Sequence, residues 1–169
     1  AHVMFNFDAS RIMSRWTFEE CGALVSCNLE GGEFELFPNR PLHQLWFDNE
    51  TYFAVNREEQ SICRFREDGA KLETLAGPGN HIDASPDRQW YVTDSGYNQT
   101  PITIRLYRRG ETEPVAELDQ HNFEQATWRP FGGHSNLVFS RDGKYVYFNR
   151  PFSDNNVKAV RVDISSIVS

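Results

Sequence analysis

The chain has 169 residues, 24% of them charged and 14% aromatic, with a formal net charge of −7 at pH 7. That length supports one domain with a sizeable core. The acidic balance excludes the broad basic face that nucleic-acid binding needs to release counterions, and no apolar run nears the ~20 residues of a membrane-spanning helix.

Read from the start, the chain repeats one pattern four times. A histidine heads a short apolar strand, an aspartate turn follows, and an aromatic or β-branched strand comes next. The first unit runs from His2 through the turn at Asp8 to Arg11–Trp16, and the second from His43 through Asp48 to Thr51–Arg57. The third runs from His81 through Asp87 to Trp90–Ser95, and the last from His134 through Asp142 to Tyr145–Pro151. Each unit gains a third strand, at 24–32, 62–69, 104–110 and 158–164. The histidines lie 41, 38 and 53 residues apart. A repeat of about 40 residues built from short strands is the signature of β-propeller blades.

The expected fold is therefore all-β, with about four blades of four-stranded antiparallel sheet at approximately 1–40, 41–78, 79–130 and 131–169. No segment sustains a 3.6-residue apolar period, so almost no helix is expected. The last unit offers no outer fourth strand, and the first starts abruptly on a blade strand. Both features suit a C-terminal portion of a larger ring, with a closed four-bladed ring as the alternative. Residues 111–133 read as a long loop between the third and fourth blades, overhanging the channel mouth.

Three cysteines, Cys21, Cys27 and Cys63, form no CxxC pair, and their odd number favours free thiols in a reducing, cytoplasmic compartment. The three are expected to be unbridged, and Cys21–Cys27, whose six-residue spacing could fit across a tight hairpin, is the pair to examine. No phosphate-binding glycine loop, nucleophile elbow or zinc pattern of paired cysteines is present. Asp83, Asp87 and Asp94 give no convincing carboxylate pair for glycoside hydrolysis.

Aligned by blade, the chain resembles the oligogalacturonate lyase family, whose fold is a seven-bladed propeller. The resemblance rests on His43-Gln44-Leu45-Trp46, on Asn80-His81-Ile82-Asp83-Ala84-Ser85-Pro86-Asp87, and on the stretch from Gly133-His134-Ser135-Asn136 to Asp142-Gly143-Lys144. It implies β-elimination on a short polyuronide with a divalent metal, typically manganese. Removal of the proton α to the uronate carboxylate needs a neutral base and a cation for the enolate-like charge. The resemblance assigns the base to His43, a proton donor to Tyr97, and metal ligands to His81, His134 and Asn136.

Three positions depart from the family pattern. Asn136 stands where a second histidine completes a His-x-His pair, Phe131 replaces a glutamine, and Ala23 replaces an arginine on the strand before the base. Gln125 and His121 are candidate substitutes for the lost ligands. The partners implied are an acidic oligosaccharide and the remaining propeller blades, from the same or another chain. Two alternatives stand beside the lyase: a non-catalytic TolB-like propeller acting as a binding or interaction scaffold, and an enzyme for a different uronate. In the scaffold reading, the blade-head histidines are hydrogen-bonding caps.

Overall fold

A computed structural model describes residues 3–18, 21–38, 42–95, 101–122, 135–153 and 156–169. These residues form antiparallel sheets and one single-turn helix, as the repeat predicts, and they divide into two units, 1–74 and 75–169.

The first unit begins with β1 (Val3–Phe5), β2 (Arg11–Phe18), β3 (Cys21–Asn28) and β4 (Glu35–Phe37), paired in that order. A second meander follows, of β5 (Leu42–Trp46), β6 (Thr51–Asn56), β7 (Ser61–Arg66) and β8 (Lys71–Ala76). In the second unit β9 (Ile82–Ala84), β10 (Trp90–Asp94), β11 (Ile102–Arg108) and β12 (Ala116–His121) form another four-stranded sheet. The last sheet has three strands: β13 (Val138–Phe139), β14 (Tyr145–Ser153) and β15 (Asn156–Asp163), followed by α1 (Ser165–Val168). These are propeller blades.

The repeated aspartates make the first turn of each blade. Asp8 and Asp87 each accept from the amide two residues on, Ser10 at 3.0 Å and Gln89 at 3.1 Å. Asp48 accepts from the amides of Glu50 and Thr51, and Asp142 from that of Lys144 at 3.1 Å. An aspartate that bonds its own backbone closes a turn whatever lies beyond it. These four carboxylates are structural.

Alternation then selects the buried faces. In the first unit Met13, Leu24 and Phe37 pack with Trp46, Tyr52, Ala54, Cys63 and Phe65 of the next sheet. Phe37 meets Tyr52 edge-on at 4.7 Å, and Tyr52 stacks on Phe65 at 5.4 Å. Arg11 adds a polar tie, with Nε 3.0 Å from Glu67, whose carboxylate also accepts from the Ser26 hydroxyl at 2.8 Å. In the second unit Val92, Ile102, Ile104 and Leu106 pack with Leu137, Phe139, Val146, Phe148 and Ile164. Asp83 joins the two sheets by accepting from the Phe139 amide at 2.7 Å.

One expectation is corrected. Residues 116–121 are not loop: they form β12, the outer strand of the third blade, paired with β11 through a register shift at Ile104/Arg105. Its sequence, AELDQH, lacks the apolar alternation of an inner strand because an outer strand is only partly covered. The expectation of unbridged cysteines agrees with the strands: Cys21 and Cys27 both lie on β3, about 20 Å apart along it, too far for a disulfide. Cys27 and Cys63 are free thiols.

Candidate functional site

The turns supply a register for comparing blade heads. The amides of Asn6, Phe47, Ser85 and Ser140 donate to the carbonyls of Arg11, Thr51, Trp90 and Tyr145, closing the equivalent turn in each blade. Counting back four residues from each donor reaches His2, His43, His81 and Asn136. Backbone pairing does not follow that count: the Asp94 amide donates to His81, but Val55 pairs Leu42 and the Asn149 amide donates to Ser135.

His43 and Asn136 share an uncommon backbone. Their φ angles are +53° and +43°, in the left-handed region that costs a non-glycine residue about 1–2 kcal/mol. Histidine and asparagine are the kinds of side chain most often found there. His43 sits at a register irregularity between Leu42 and Leu45 and is half-buried, whereas Asn136 is exposed. The other non-glycine residues with positive φ among those described, Ala9, Glu33, Gln60 and Arg88, lie outside the strands.

His81 is built differently. Its Nδ1 lies 2.7 Å from Oδ2 of Asp94, and its amide donates to Oδ1 at 3.1 Å. Pairing of β9 with β10 brings these residues together from 13 positions apart. Asp94 is fully buried and also receives the hydroxyl of Ser135. Burial pushes the Asp94 carboxyl up, but the hydrogen bond and charge of His81, with the bonds from Ser135 and the His81 amide, outweigh it and hold the group below the usual aspartate range.

A carboxylate can only accept, so Nδ1 carries the proton, and Nε2 is the basic nitrogen of the neutral ring. This tautomer suits a metal ligand or a base acting through Nε2. The Ser135 hydroxyl donates to the Asp94 carboxylate.

A second carboxylate–histidine pair ends β12. His121 is buried, with Nδ1 2.8 Å from Oδ2 of Asp119, and its ring stacks on Phe148. Arg150 donates to the same Asp119 oxygen at 2.8 Å. His121 is thus a packed strand-end residue rather than a loop histidine.

Among the described residues, no three of His, Cys, Asp or Glu group to hold a metal ion. The donors present are the carboxylate-backed imidazole of His81 and the exposed amide of Asn136. Asn136 follows Ser135, whose hydroxyl is hydrogen-bonded to Asp94. His134, Tyr97, Gln125 and Phe131 lie outside the described residues, as does His2. Ala23 is half-buried on β3.

Sequence reading missed Asp94 as the partner of His81. The signal available was an aspartate ending the strand after the His81 turn, where the equivalent residues in the other blades are Arg15, Val55 and Asn149.

No protein-family profile and no curated protein matches the chain. Solved structures do. A TolB from Acinetobacter baumannii is similar with a TM-score of 0.61 and 16% identity, over 98% of this chain and 41% of that one. An oligogalacturonate lyase in complex with manganese has a TM-score of 0.64 and 13% identity, over 99% and 49%. Hydrazine synthase of Kuenenia stuttgartiensis has a TM-score of 0.68 and 14% identity, over 98% and 46%. The chain spans less than half the length of each. Such different proteins at such low identity establish a TolB-like propeller fold and no particular chemistry.

Proposed function

We propose that this chain is part of a polyuronide lyase, acting on an oligogalacturonate-like substrate by metal-assisted β-elimination. The observation that carries the reading is the His81–Asp94 pair. A buried carboxylate fixes the imidazole tautomer, as outer-shell carboxylates do for ligating histidines. His81 and Asn136 are the described donors for a divalent cation such as manganese, with His134 as a further donor. Asparagine offers a hard oxygen that suits such an ion. The cation, when bound, supplies charge neutralisation at the uronate carboxylate. His43 accepts the α-proton, a role that needs a neutral imidazole, and Tyr97 donates a proton to the leaving oxygen.

A second reading is favoured by the same cluster. Asp94 also holds Ser135 of the following blade, so the network works equally as a tie between sheets in a non-catalytic TolB-like scaffold. Asn136, Phe131 and Ala23 support it.

One experiment separates the two: metal analysis of the isolated protein, together with absorbance near 235 nm on an oligouronide panel. For the lyase, His43→Ala abolishes turnover and keeps the metal, while His81→Ala loses metal and activity together. A protein with no bound ion and no new absorbance is the scaffold.

A further inference from the structure

Within the unit 75–169, the core between the third and fourth blades ends in a charged rim. On β14, Val146 and Phe148 are buried in that core, Arg150 comes next on the same face, and Phe152 follows at a register shift. On β15, Val162 and Val160 stand opposite Val146 and Phe148, and Lys158 stands directly opposite Arg150. Like charges in that position repel. Both cations nevertheless lie over one ring: the Arg150 guanidinium carbon is 4.9 Å and the Lys158 Nζ 5.4 Å from the Phe152 centroid.

Compensation of the two charges is incomplete. Arg150 donates through Nε to Asp119 at 2.8 Å, and among the described residues its Nη groups carry no hydrogen bond. Lys158 pairs with no carboxylate among the described residues. Two cations thus share one carboxylate, in a chain whose net charge is −7. The planar fork of a guanidinium with its Nη groups unused matches a further carboxylate.

Strand pairing places this rim beside the His81–Asp94 pair. Asp94 pairs Ile104, and Ile104 pairs Asp119, so the two aspartates share one row two strands apart, about 10 Å. The fourth blade meets both, through Ser135 at Asp94 and Arg150 at Asp119. One edge of the unit therefore carries a carboxylate-backed imidazole and, further along, an undercompensated cationic cluster.

We infer that Arg150 and Lys158, held over Phe152, form a subsite for the carboxylate of a second uronate unit, beside the one bound near His81. An oligouronide carries a carboxylate on every sugar, so a chain lying along this edge presents the same anion again. The identity of the ligand rests on the polyuronide reading above.

Calorimetric titration of trigalacturonate into the full-length protein tests this, in a His43→Ala background that removes turnover. Lys158→Ala should weaken Kd at least about tenfold. Lys144→Ala removes an exposed cation beside the opposite end of β14 and should leave Kd unchanged. Equal losses in the two variants, an unchanged Kd in Lys158→Ala, or no binding of the trimer overturn the subsite. The oligouronide absorbance assay on the unaltered protein reads turnover separately. Lys158-dependent binding without turnover keeps the subsite and removes the lyase, whereas turnover with a Kd indifferent to Lys158 removes the subsite and keeps the lyase.

Discussion

A buried and a half-buried aspartate in the second unit sit in opposite electrostatic situations. Asp94 is held below the usual range because hydrogen bonds from His81 and Ser135 outweigh its burial. Asp83 is pushed up by burial, which the bonds from the Phe139 and Ala84 amides offset only in part. A lowered folded pKa contributes stability above the unfolded value and loses it as pH falls through the folded pKa. A raised one contributes only below the unfolded value of about 3.9, and that contribution is lost as pH rises through the folded pKa. Asp94→Asn should therefore lower Tm at pH 7, with the deficit shrinking toward pH 3. Asp83→Asn keeps an acceptor for Phe139 without a buried charge, so it should raise Tm at pH 7 and not at pH 3. Thermal melts of both variants across that range check the signs. Tyr52 offers a third residue-scale test. Its hydroxyl is buried and has no hydrogen-bond partner among the described residues, and burial raises its pKa. Tyr52→Phe removes an unsatisfied polar group, so it should leave stability unchanged or raise it by about 1 kcal/mol in a urea melt.

At the scale of elements, close packing restricts the link between β8 and β9. A Cβ on Gly77 would lie 2.0 Å from the Thr112 carbonyl oxygen and 2.7 Å from Cε1 of Tyr107. Gly77→Ala must displace backbone, and overpacking of this kind costs about 1–3 kcal/mol. For a chain of this size the Tm should drop by several degrees, at about 2–4 °C per kcal/mol. Gly110 makes the contrast: with φ +81° and nothing near the added atom, its constraint is conformational, not steric. The strands themselves were legible where alternation is strong, as in Trp90–Asp94 and Tyr145–Phe148. The outer strands β4, β8 and β12 were not. Their residues are mostly exposed or half-buried, so burial imposed little pattern on their sequence.

For the whole molecule, the thiols report on the assembled fold. Cys63 is buried and its sulfur contacts the Ser61 hydroxyl at 3.3 Å, whereas Cys27 is half-buried on the exposed face of its sheet. Alkylation under native conditions should label Cys27 well before Cys63, and intact mass should show no bridge between them.

The sequence by itself determined the blades. Aspartate turns and alternating apolar residues act within a few positions, so four repeats were readable without any long-range information. Their histidine heads were readable too. Only the tertiary structure decided what those places are. Pairing of β9 with β10 put Asp94 against His81. In β5 a register shift sets Leu42 opposite Val55 and takes His43 out of the equivalent place, and in the last sheet the Asn149 amide donates to Ser135. Strand pairing and burial join residues far apart in the chain, and a local pattern carries no record of which of them meet.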